Sequence, residues 1–234
     1  MNENLQHTLN TYSHSGWQSN PAMHQIIDGY SMYHAVLAVA AGFFMLLFLV
    51  ASIQGWIIFR RTANTHPFKW PFAKKVYFCF ATLFTLVALF LALICMANVT
   101  NATKPLPGFV GGISSMHTKS YNRQLHVDFN NWIVSGKTTP PNLVQERIHH
   151  RQVFHTIRAI EGVVLFAAST FLGIRIWKTL IHERSHVKTK WSRQEVAMLL
   201  VGIVTVVIAL YAVLVIMANV QSVVVPIVNT LQFG

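Results

Sequence analysis

The sequence predicts an all-α integral membrane protein: four transmembrane helices forming two tandem, parallel helical hairpins, with a small extracytoplasmic helical insert between them. Three observations lead there. First, the apolar residues gather in four blocks, roughly 35–59, 76–97, 159–174 extending to Trp177, and 196–218. About 18 mostly apolar residues suffice to cross the ~30 Å hydrocarbon layer as a helix. Second, the chain moved by 121 residues falls on itself without a gap: His34 on His155, Trp56 on Trp177, Lys69-Trp70 on Lys190-Trp191, and Met96-Ala97-Asn98-Val99 on Met217-Ala218-Asn219-Val220. Only 15 of the 86 pairs over residues 21–106 are identical, so the weight rests on the rare residue types that keep one offset. Third, Lys and Arg crowd into the two short loops that join the paired blocks.

The elements follow in order. Residues 1–20 are polar and read as a loose tail. The first 33 residues contain no Lys or Arg, the opposite of a signal peptide's basic start, so the first apolar block is expected to stay in the mature protein. After Pro21, Met23, Ile26, Ile27 and Tyr30 recur at helical spacing and lead to His34, so the first helix starts outside the membrane and continues inward. The first hairpin covers 21–106. Its loop at 60–75 carries Arg60, Arg61, Lys69, Lys74 and Lys75 with no acid.

The insert, 107–139, opens on Gly108, Gly111 and Gly112, which read as a flexible turn. Leu125, Phe129, Trp132 and Ile133 then share one face of a short amphipathic helix that Gly136 would end. It is expected to lie over the outer ends of the bundle or at the headgroups, where Trp is comfortable. Pro140-Pro141 signals the start of the second hairpin, 140–234, with Val144, Ile148 and Arg151 leading to His155. Its loop at 175–193 holds Arg175, Lys178, Arg184, Lys188, Lys190 and Arg193 against Glu183.

Basic residues also set the orientation, because short cytoplasmic loops concentrate Lys and Arg. Both termini lack basic residues and the 99–157 segment dilutes its six, which places them outside. A plasma membrane location follows. Each hairpin then begins on the same side, and parallel repeats imply a pseudo-two-fold axis along the membrane normal. The net charge of +11 therefore does not point to nucleic acid: 11 of the 18 Lys and Arg sit in the two cytoplasmic loops, beside anionic headgroups. The partners expected are the lipid bilayer and a membrane protein, or further copies of the chain. Cys79 and Cys95 are about 24 Å apart along one helix, far beyond disulfide reach.

Candidate chemistry is sparse. His34 and His155, at matching depth, are the candidate cofactor-binding residues, since neutral imidazole ligates haem iron and metals. The competing reading is an interfacial histidine that ends an apolar span. His7, His14, His24, His117, His126, His149 and His150 add to the outer-side enrichment, but no spacing marks a ligand set, so no metal can be named. Arg158 and Glu161, at i and i+3, stand where Leu37 and Ala40 stand in the first hairpin. Ionisable residues in a span are costly and often functional, though Arg near an interface can also snorkel.

Asn98 and Asn219 read as C-terminal helix caps, and Ala97 and Ala218 as sites of close helix approach. Asn98-Val-Thr and Asn101-Ala-Thr match the glycosylation acceptor pattern. Trp56, Trp70, Trp177 and Trp191 read as interfacial anchors. No P-loop, HExxH, CxxC or GxSxG is present, so the expectation leans away from an enzyme. The favoured function is a non-catalytic accessory or structural membrane subunit acting through helix packing. The alternatives are a haem- or metal-binding redox protein using His34 and His155, and a small oligomeric transporter or channel lined by Arg158 and Glu161.

Overall fold

The computed structural model describes the chain except residues 1–2, 15, 64–69, 116–122, 186–189 and 234. Lys69, His117 and Lys188 thus lie outside the described residues. Every regular element among those described is helical: α1 (Glu3–His14), α2 (Pro21–Arg61), α3 (Phe72–Thr103), α4 (Pro105–Ser115), α5 (Arg123–Ser135), α6 (Asn142–Ser185), α7 (Arg193–Val224) and α8 (Pro226–Phe233), with a 3₁₀ turn at Trp17–Ser19. Four of them, α2, α3, α6 and α7, are long and apolar enough to cross a membrane. The chain is a multi-pass membrane protein. Helix α6 has the least apolar span, as Arg158 and Glu161 in its sequence require.

Helix boundaries keep the offset seen in the sequence. α2 starts at 21 and α6 at 142; α3 runs 72–103 and α7 runs 193–224. Both α3 and α7 stop one residue short of a proline, Pro105 or Pro226, which has no N–H to donate and whose ring disfavours a helical residue before it. The last turns close alike, with Lys104 N donating to Thr100 O and Val225 N to Gln221 O, both at 2.9 Å. A new short helix, α4 or α8, begins on each proline.

The residues group into two compact units, to which all four long helices contribute: 1–40, 95–158 and 217–234 in the first, and 41–94 and 159–216 in the second. The first unit has a core like that of a water-soluble protein. Leu5 and Leu9 of α1, Met23, Ile26 and Ile27 of α2, Phe109 of α4, Phe129, Trp132 and Ile133 of α5, and Leu231 of α8 are all buried together. The expected loose tail is therefore an amphipathic helix with its two leucines, one turn apart, fully covered. Asn20 fixes the turn that follows: its Oδ1 accepts from Met23 N at 3.0 Å, capping α2, and its Nδ2 donates to Ile133 O at 2.8 Å.

The α5 face expected from Leu125, Phe129, Trp132 and Ile133 is buried as drawn, and Gly136 ends the helix at φ 61°, a left-handed position suited to glycine. The glycines before it do not form a flexible turn. Gly108 lies within α4, where a Cβ would come 2.6 Å from Tyr30 Oη and 2.9 Å from Asn101 Oδ1, so glycine is what lets α4 settle on α2.

In the second unit the helices meet at small residues. A Cβ on Gly55 would lie 3.1 Å from Ala81 Cβ, one on Gly162 2.9 Å from Ile216 Cγ1, and one on Gly173 3.0 Å from Thr205 Oγ1. Close approach therefore falls to these positions, while Ala97 and Ala218 are exposed. α7 starts with a capping box: Glu195 N donates to Ser192 Oγ at 3.1 Å and Ser192 N to Glu195 Oε2 at 2.8 Å. Between 17% and 28% of each spanning stretch is buried, so most of the apolar span surface is left to lipid or to other helices.

Candidate functional site

The two histidines singled out by the sequence each meet an asparagine, and the two pairs match. His34 Nδ1 lies 2.6 Å from Asn98 Oδ1, and His155 Nδ1 lies 2.7 Å from Asn219 Oδ1. Both pairs belong to the first unit and each joins the two long helices of one pair, α2 to α3 or α6 to α7. An amide oxygen can only accept, so the Nδ1–H donates; a ring that is neutral then keeps its lone pair on Nε2. That is the arrangement in which a hydrogen bond on one ring nitrogen orients the other as base or ligand. Both rings are half-buried.

Asn98 and Asn219 are thus not helix caps. α3 continues to Thr103 and α7 to Val224, and the asparagines sit inside those helices as cross-helix partners. Their amides are what the duplicated Met-Ala-Asn-Val string preserves. Asn98, within its Asn-Val-Thr motif, is buried inside a helix with its side-chain oxygen against His34 Nδ1.

The surroundings of the two pairs differ. Around His34, the Tyr30 and Tyr33 rings stand edge-on at 4.4 and 5.4 Å, and Ser31 Oγ donates to Ala102 O at 2.6 Å. Tyr33 Oη accepts from Gln221 Nε2 at 2.8 Å, linking the first helix pair to the second. Near His155, Phe154 packs edge-on at 5.2 Å. Arg151 Nη1 donates to Asn229 Oδ1 at 2.6 Å, and Asn229 Nδ2 to Ser222 Oγ at 2.8 Å. Residues 30, 101 and 108 correspond at the 121 offset to 151, 222 and 229. The tyrosine-on-glycine contact of one pair is thereby replaced by an arginine–asparagine–serine chain in the other.

Arg158 and Glu161 are both exposed on α6. The Arg158 guanidinium lies over the Phe154 ring, 5.5 Å from its centroid. The other histidines do not assemble: among the described residues no three His, Cys, Asp or Glu side chains come close enough to share a metal ion. His24 pairs with Asp28 at 2.7 Å and His150 lies 3.8 Å from Glu146, both on exposed surface. His126 is buried, and burial pushes its pKa below the ordinary histidine value.

Two tryptophans expected as interfacial anchors turn inward. In the second unit Trp56 Nε1 donates to Thr85 Oγ1 and Trp177 Nε1 to Gly202 O, both at 3.2 Å. Ser52 Oγ and Thr85 Oγ1, 2.6 Å apart, extend the first of these contacts. Trp70 and Trp191 are exposed. Sequence reasoning missed the asparagine and threonine partners. The signal available was the equal spacing of 64 residues between histidine and asparagine in each pair. Comparison with protein families, with curated proteins and with solved structures finds no match for this chain.

Proposed function

We propose that the chain is a non-catalytic accessory or structural membrane subunit, built from two tandem hairpins (21–106 and 140–234) around the 107–139 insert and acting through helix packing with itself or with larger membrane partners. The observation that carries this reading is the paired His–Asn bond at the same place in each hairpin. In both, the polar groups of the span close the hairpin on itself, as Trp56–Thr85 and Trp177–Gly202 do further along. Most of what faces outward is apolar: Phe43, Leu86, Phe90, Leu93, Phe171 and Val207 are among the large exposed side chains, with Arg158 and Glu161 exposed beside them on α6. With basic residues concentrated in the two short loops, the termini and insert lie outside a plasma membrane. Extraction in mild detergent followed by cross-linking tests the reading. A defined oligomer or a stoichiometric membrane partner is expected, and a lone monomer in every detergent that preserves the helices would sink it.

A second reading is favoured by the same bonds. Nδ1 tied to an amide oxygen presents Nε2 as a ligand, which suits a haem iron or a metal at His34 or His155. The purified protein would then show a Soret band or a stoichiometric metal that His34→Ala and His155→Ala remove. Neither signal in protein isolated from its native membrane would end this reading.

A further inference from the structure

Within the second unit, α2, α3, α6 and α7 enclose an apolar crevice of about 450 Å³ that is open on one side. A volume of that size suits a small hydrophobic ligand. Its walls are aromatic and aliphatic: Phe80 stands edge-on to Trp177 at 5.0 Å and Phe48 lies 5.5 Å from Phe84, while Phe166 of the lining meets Phe44 outside it at 5.8 Å. Ala51, Gly173 and Ala209 supply the space. The hydroxyls of Ser169 and Thr205 are already committed to Leu165 O and Gly202 O at 2.7 and 2.8 Å, and apart from Thr170 the rest of the interior is apolar.

Polarity appears toward one end, where Lys178 and Tyr77 join the lining. Among the described residues neither side chain has a hydrogen-bond or ionic partner. Arg175, Arg184, Lys190 and Arg193 belong to the same end of the α6–α7 pair, so this is the more basic end of the spans. The crevice follows α6 from Phe166 to Ile181, about 22 Å at 1.5 Å per residue. That length matches one leaflet, about half of the ~40–45 Å bilayer with its headgroups.

We infer that this crevice binds one acyl chain of an anionic phospholipid, with Lys178 and Tyr77 holding its phosphate and the chain running along Phe80, Phe84 and Phe166. The length fixes the occupant as a lipid tail lying parallel to the helices, and the basic end fixes its headgroup as anionic. The inference rests on the four membrane-spanning helices, not on an accessory role, and stands or falls separately from it.

The test uses the full chain reconstituted in nanodiscs of equal phosphatidylglycerol and phosphatidylcholine, released and weighed by native mass spectrometry. One retained phospholipid per chain is expected, with phosphatidylglycerol favoured about fivefold, the ratio corresponding to ~1 kcal/mol for one basic residue at the surface. Lys178→Glu should bring that preference to unity or reverse it while lipid is still retained. Ala209→Phe, which fills the crevice without touching its charged end, should lower retention of both lipids, with helicity by circular dichroism unchanged. Delipidated wild-type protein, no preference between the two headgroups, or a preference that survives Lys178→Glu would each overturn the proposal.

Discussion

His34 and His155 owe their interest to what holds them. A histidine that merely ended an apolar span would turn its ring to the headgroups, whereas both of these donate from Nδ1 to an asparagine on the neighbouring helix. Polar bonds between membrane helices are worth about 0.6 kcal/mol on average and up to ~1.7 kcal/mol by double-mutant cycles. A cycle of His34→Phe and Asn98→Leu should return a coupling in that range by reversible unfolding in mixed micelles, and so should His155→Phe with Asn219→Leu. Zero coupling at both pairs would reduce them to incidental neighbours. His126 gives a second prediction at this scale. Burial favours its neutral form, so as pH falls below about 6.5 the unfolded chain takes up a proton that the folded one refuses. The linkage therefore removes stability from the first unit on acidification, and none of that loss is present well above this range. The protection of α5 amides, corrected for the intrinsic exchange rate at each pH, should fall between pH 7.5 and 5.5 in the wild type, and His126→Leu should flatten that dependence. An identical pH response in the variant would place the sensitivity elsewhere.

Among the elements, the long helices were legible because twenty-odd apolar residues leave the backbone no other way to satisfy itself in lipid. The α5 face was equally plain from its spacing. Three helices, α1, α4 and α8, were not. α1 has a polar composition, and only Leu5 and Leu9 reveal the face that packs beneath α5 and α4. α4 contains Gly108, Gly111 and Gly112, which weaken a helix in isolation by about 1 kcal/mol each. Tertiary contact overrides that preference, since Gly108 is required where Tyr30 Oη and Asn101 Oδ1 press against the helix. This yields a test of the element. Gly108→Ala improves intrinsic helix propensity, so a local account expects stabilisation; the clash predicts a loss of about 1–3 kcal/mol, as for other overpacked sites. Tyr30→Phe, by removing the nearer oxygen, should recover part of that loss in the double variant. A more stable Gly108→Ala protein would show that α4 is free to shift. The site was half legible for a related reason. The histidines and asparagines could be found by their shared offset, but a linear sequence does not say which asparagine a histidine meets.

On the scale of the whole molecule, the α2–α3 and α6–α7 segments differ in ways that bear on how the chain sits in its membrane. Arg151, Arg158 and Glu161 stand where Tyr30, Leu37 and Ala40 stand 121 residues earlier, and among the described residues α6 is the longest helix as well as the least apolar span. Such a helix is a poor guide to orientation, so the direction of insertion rests on the loops. The 60–75 and 175–193 loops together hold 11 of the 18 Lys and Arg. In the orientation proposed above, loops that short and that basic stay in the cytoplasm, while a long segment with diluted charge crosses. Thr138, exposed between α5 and α6, and Lys190, exposed before α7, then belong on opposite sides. In a background with Cys79 and Cys95 replaced by serine, Thr138→Cys should react with a membrane-impermeant maleimide in intact cells. Lys190→Cys should react only after the membrane is opened. The reverse pattern would mean that Arg151, Arg158 and their neighbours on α6 outweigh the loops. It would also move the His–Asn pairs and the buried core of the first unit to the cytoplasmic side, and with them any partner that reads that surface.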